Sequence, residues 1–93
     1  MAEFFTRVEL HQANGSDYET LHAEMLKREF YRAIVGGSGD EFKLPTAEYH
    51  SIQSLTCEGV RDLAGQAATV TGRKHWILTV EANTWALRSE RTV

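Results

Sequence analysis

The sequence predicts an α+β domain in which one antiparallel sheet carries two helices on a single face. Three observations predict it. FFTRVELHQ, near the N-terminus, alternates with a period of two, as a half-buried strand does. NGSDYE and LTCEGV each open a stretch whose apolar spacing changes to the helical period. Short β-rich runs broken by glycine and proline fill the remainder, giving the order strand, helix, strand, strand, helix, strand.

The first strand is read over residues 3–11. Phe4, Thr6, Val8 and Leu10 form one row, and Phe5, Arg7, Glu9 and His11 form the other. QANG breaks the alternation. Ser16 stands three residues before Glu19, a capping-box spacing, and Asp17 adds negative charge at a helix start. Tyr18, Leu21, Met25 and Phe30 then supply an apolar stripe, so the first helix is placed at about 17–29. FYRAIV (30–35) reads as a short strand, GGSGD as a turn, and EFKL (41–44) as the return strand. Pro45 cannot donate to a ladder and marks an edge, bulge or loop.

AEYHSIQS (47–54) reads as the third main strand, with an ambiguous alternation: Ala47, Tyr49 and Ser51 oppose Glu48, His50 and Ile52. Thr56 is placed as the N-cap of the second helix, with Glu58 in its first turn. Its stripe is Val60, Leu63, Ala64, Ala67 and Val70, and Gly72 is its C-terminal stop. Gly59 and Gly65 each weaken this helix by roughly 1 kcal/mol relative to alanine, a cost that close packing on the sheet would offset. KHWILTVE (74–81) is the last main strand. Trp76, Leu78 and Val80 are expected toward the helices, and His75, Ile77 and Thr79 away from them. ANTWALR is read as a short fifth strand or a tail packed through Trp85 and Leu87, and residues 89–93 are expected to fray.

This order is the ferredoxin-like βαββαβ pattern over a single domain, residues 1–93. Right-handed crossovers put both helices on one face, the first and third strands in the centre, and the fourth beside the first. The formal net charge of −3 lacks the basic footprint of a protein that holds nucleic acid tightly without specificity, and no DNA partner is expected. One cysteine, Cys57, excludes a disulfide within the chain. Without a signal-like or membrane-length apolar run, the chain reads as cytoplasmic with no membrane partner.

The uncovered sheet face carries the functional expectation. It should hold Phe5, Arg7, Glu9 and His11, next to His75 and Ile77, joined by Tyr49 or His50. Aromatic and cationic side chains on a bare sheet are how RRM-type domains stack single-stranded bases. No RNP-like string is present. The candidate RNA contacts are Phe5, Arg7, Tyr49 and His50; the competing reading of the same row is a dimer interface. His11, His22, His50 and His75 show no ligand spacing, so no metal and no cofactor are expected. Cys57 reads as a packing residue at a helix start, and GGSGD as a turn because it precedes a strand and not a helix.

Particular residues suggest a family. FFTRVEL, the SDY that opens the first helix, FYRAIVGGSG, KLPTAEYHSI and LTCEGVRDL together span roughly residues 4–80. On these the chain resembles the GhoS-type small proteins, endoribonuclease antitoxins of bacterial toxin–antitoxin pairs. Those share a ferredoxin-like fold with small CRISPR-associated nucleases. The resemblance implies cleavage of a toxin message by a homodimer. It carries over no site, since the wider nuclease relatives often end the first strand with an aspartate and this chain has LHQAN there, with Glu9 the nearest acid. Cleavage would then rest on acid–base work by His11 or His75, with Arg7 stabilising developing phosphoryl charge. That metal-free scheme is confined to RNA, whose 2′-hydroxyl supplies the nucleophile. The alternative is a non-catalytic dimeric interaction module using the open sheet face; a small-ligand sensor using that face is the third.

Overall fold

The alternation of the N-terminal strand holds in three dimensions. In the computed structural model, which describes residues 1–92, β1 (Ala2–Leu10) buries Phe4, Thr6, Val8 and Leu10 and turns Phe5, Arg7 and Glu9 outward. Val93, the last residue of the segment expected to fray, lies outside the described residues. After β1 come α1 (Gly15–Lys27), β2 (Ala33–Val35), β3 (Glu41–Lys43), β4 (Glu48–Gln53), α2 (Cys57–Val70) and β5 (His75–Glu81). β1 lies between β4 and β5, antiparallel to both.

The strands do not form one sheet. β2 and β3 pair as a separate hairpin. It is tied to β4 through Tyr31 and His50, whose backbones exchange two hydrogen bonds of 2.8 Å. The molecule is therefore an α+β fold with a three-stranded antiparallel sheet and a two-stranded one.

α1 starts earlier than the Ser16–Glu19 spacing predicts. Its cap is Asn14: Asn14 Oδ1 accepts from the Asp17 amide (3.0 Å), and Asp17 Oδ2 accepts from the Asn14 amide (3.1 Å). Ser16 supports that cap by donating to Asn14 Oδ1. Asp17 also accepts from Arg73 Nε at 2.9 Å, tying the start of α1 to the loop before β5. α2 starts as expected, with Thr56 Oγ1 accepting from the Gly59 amide. It buries Val60, Ala64, Ala67 and Ala68, whereas Val70 is exposed. Gly72, with φ of +73°, then turns the chain in the left-handed region that favours glycine. Both helices pack on the covered row of β1, where Leu21, Met25, Val60 and Ala64 meet Phe4, Val8 and Leu10.

β5 reverses its expected orientation. Trp76, Leu78 and Val80 are exposed on the open face, while His75, Ile77 and Thr79 face the helices. The register explains the reversal. Val8 stands opposite Ile77 and Thr6 opposite Thr79, and opposed residues share a face. The two threonine hydroxyls meet at 3.1 Å. α2 also presents alanine and glycine to the sheet and so packs close; a methyl at Gly65 would stand 3.7 Å from Ile77 Cδ1. That space takes an isoleucine, not an indole.

The ambiguous alternation of β4 resolves with Tyr49, Ser51 and Gln53 covered. Tyr49 therefore leaves the open face, and its hydroxyl sits 2.6 Å from His22 Nδ1. The C-terminal segment forms no long strand, and its described residues lie against the sheet and the hairpin. Trp85 packs edge-on against Phe5, the Lys43 amide donates to Glu90 O (2.9 Å), and the Thr92 amide donates to Glu41 O (3.1 Å).

Two measurements check this architecture. In denaturant unfolding at protein concentrations dilute enough to keep the chain monomeric, Ile77→Ala should cost about 2–5 kcal/mol, as for a packed aliphatic residue, and Leu78→Ala less than about 0.5 kcal/mol. Equal costs would contradict the observed face of β5.

The second measurement concerns pH. Burial holds the His22 imidazole below its ordinary value and pushes the Tyr49 phenol up, so burial favours a neutral imidazole beside a protonated hydroxyl. The unfolded chain then binds the His22 proton more readily. This contribution is full above about pH 6.5 and is lost as pH falls through the folded value. Asp17 and Glu24, both held low by hydrogen bonds, act in a separate and more acidic window. The melting temperature should fall from pH 7.5 to pH 5.5 and fall less in His22→Gln; identical slopes would contradict the assignment.

Candidate functional site

The open face is a grid set by register. His50, Phe5 and Val80 form one rung, and Glu48, Arg7 and Leu78 form the next. Glu9 and Trp76 follow on β1 and β5, while Ile52 and Glu3 lie at the other end. The β5 side is bare: Trp76 is 70% exposed and Leu78 64%. Among the charged side chains of these rungs, Arg7 is the one cation against Glu3, Glu9 and Glu48. A phosphate backbone would meet more repulsion than attraction there.

The β4 side is concave. The hairpin turns away from β4 beyond the Tyr31–His50 bridge and leaves a cleft of about 890 Å³, lined by Glu3, Tyr31, Ile34, Lys43, His50 and Ile52 among others. At its sheet wall His50 Nε2 and Glu3 Oε2 are 2.7 Å apart, with 13% of the His50 side chain exposed. The carboxylate accepts and the imidazole Nε2–H donates, leaving Nδ1 as an acceptor in the neutral ring. The Phe5 ring lies 5.3 Å from the His50 ring and 6.0 Å from Trp85, and these contacts fix the imidazole from the side. An imidazole oriented by a carboxylate is competent to take or give a proton.

The sequence-predicted residues separate into two groups. Phe5, Arg7 and His50 share the open face, with His11 at the end of their strand. The His11 ring packs edge-on against Trp76 at 4.8 Å, and its Nε2 lies 3.9 Å from the Glu9 carboxylate. Tyr49 and His75 are on the helix side. His75 Nδ1 donates to Arg73 O at 3.0 Å, so His11 and His75 form no acid–base pair across one face. Glu3 and Tyr31 were not singled out by sequence. The signal for Glu3 was available, because it shares the odd-numbered row of β1 with Phe5; Tyr31 becomes part of the site only through a backbone bridge.

Among the described residues, no three His, Cys, Asp or Glu side chains gather as a metal site, and no helix is long and apolar enough to cross a membrane. Comparison with protein-family models finds none that matches the chain, and comparison with curated proteins finds no match.

The Glu3–His50 contact is measurable. A double-mutant cycle with Glu3→Gln and His50→Gln in urea should return a coupling of about 0.5–1.5 kcal/mol, above that of many exposed pairs. Strict additivity of the two substitutions would show that the pair does not hold in solution.

Proposed function

We propose that the chain is a small regulatory protein that works as a non-catalytic interaction module, with the β5 side of the open sheet face as its contact surface and a second copy of the chain as its partner. The observation that carries the reading is the uncovered row of Trp76, Leu78 and Val80 on one strand. Three large apolar side chains in register form a contiguous patch, and such a patch gains free energy when a partner removes it from water. The row suits a second copy, because under a two-fold axis each of these apolar side chains can meet an apolar one of the other chain. The order β4-β1-β5, with Tyr31 bridging to the outer side of β4, supports the ferredoxin-like plan with β2 drawn away from its place in the sheet.

One observation favours a second reading, that of an RNA-acting protein like the GhoS-type antitoxins it resembles. The Glu3–His50 pair stands in a cleft with Tyr31 on its wall and Phe5 alongside. Under this reading His50, oriented by Glu3, takes the acid–base role in place of His11 or His75. The aromatic rings stack bases, and the 2′-hydroxyl is the nucleophile. The acidic rungs of the sheet beside the cleft make it the weaker of the two.

Analytical ultracentrifugation beside a filter-binding and cleavage assay on short RNAs separates the readings. The expected result is about twice the monomer mass for the wild type, a folded monomer for Leu78→Glu, and no RNA affinity tighter than millimolar at low salt. A wild-type monomer at high micromolar concentration overturns the proposal. RNA cleavage that falls about 10²–10⁴-fold in His50→Ala, the usual scale of acid–base catalysis, establishes the second reading instead.

A further inference from the structure

The bare apolar row lies on the outermost strand of the sheet, and the backbone of that strand shows where a partner strand can pair. Lys74 O accepts from the His11 amide, and the Ala82 amide donates to Glu3 O. Even-numbered residues of β5 therefore direct their backbone groups at β1, and His75, Ile77, Thr79 and Glu81 direct theirs away from the sheet. Among these outward groups in the described residues, the Thr79 carbonyl is contacted, by the weak thiol donor Cys57 at 3.3 Å; the oxygen keeps a second lone pair. An outward row of amides and carbonyls is a template for another strand.

Resting on the proposal that the partner is a second copy, we infer that β5 pairs antiparallel with β5 of that copy about a two-fold axis at Leu78, joining the two three-stranded sheets edge to edge. This register matches chemistry on both faces at once. On the open face Leu78 meets Leu78 of the other chain, and Trp76 meets Val80, so each exposed apolar residue gains an apolar cross-strand neighbour. On the helix side His75 meets Glu81, a base against an acid, and Ile77 meets Thr79. Beside this edge runs a groove of about 710 Å³ between β5 and α2, lined by Arg61, Asp62, Gly65, Gln66 and Thr69. Gly65 keeps it open, and the adjacent Arg61 and Asp62 offer opposite charges to their two-fold mates. Stacking the open faces instead would leave the outer backbone row and this groove without a partner.

The test is amide hydrogen exchange read by NMR at low and high micromolar concentration, beside oxidation of a Leu78→Cys variant in a Cys57→Ala background. The amides of Ile77, Thr79 and Glu81 should slow on the order of 10-fold or more as concentration rises, because only a paired edge protects them. The Leu78→Cys chain should oxidise to a covalent dimer, since directly opposed residues of this kind have Cα atoms about 4.5 Å apart, within disulfide reach. A dimer by ultracentrifugation without this protection overturns the edge pairing and leaves the second-copy reading standing. A monomer overturns both.

Discussion

The structure depends on the register of β1 between its two neighbours. A strand shows alternate side chains to opposite faces, so a shift of one residue would exchange the whole core row for the whole open row. Val8 opposite Ile77 and Thr6 opposite Thr79 commit β5, while Phe4 opposite Ser51 and Thr6 opposite Tyr49 commit β4. Once those pairs are set, every residue with chemical interest is sorted. His50, Phe5 and Arg7 go to the open side, and Tyr49, His75 and Cys57 go toward the helices or their margin.

The register also decides what kind of surface results. The small residues of α2, with Ala64, Ala67 and Ala68 buried and Gly65 close to Ile77, draw the helix near the sheet and leave no depth for bulky β5 residues. The large ones stand outward, where burial within the chain cannot stabilise them. Cys57 sits half-buried at the margin of this packing, its thiol donating to Thr79 O. The separate hairpin has the opposite effect on the other side of the sheet. Tied to β4 at the Tyr31–His50 bridge and to the C-terminal tail on its other side, it opens a concavity beside β4, with an imidazole and a carboxylate on the sheet wall. One face thus has an apolar margin and an acid–base margin, divided by Phe5 and by the tail that brings Trp85 over it.

Much of the fold was legible because its signals are local. The alternation of β1 is nearly ideal and sorts its residues onto the correct faces, and Thr56 and Gly72 bracket α2 as helix chemistry requires. The cap of α1 is not decided by spacing, because NGSD and SDYE both offer capping geometry, and Asn14 wins through reciprocal bonds with Asp17. The orientation of β5 was not legible. Trp76, Leu78 and Val80 look like a core row by hydrophobicity alone, and only the size of the α2 residues facing them argues otherwise. The site was legible in part: Phe5, Arg7 and His50 follow from alternation. The partner of His50 is Glu3, 47 residues away in sequence, and a strand register that sequence does not state brings them together.

Trp76 faces out from the sheet on β5, the strand that we propose pairs with a second chain. The chain has two tryptophans, so Trp85→Phe leaves Trp76 as the sole indole reporter. Its fluorescence should be that of a water-exposed indole, fully open to acrylamide quenching, in dilute solution. With rising concentration the emission should move to shorter wavelength and the quenching should weaken. A blue-shifted and protected Trp76 at every concentration would place it in the core and contradict the register on which the account depends.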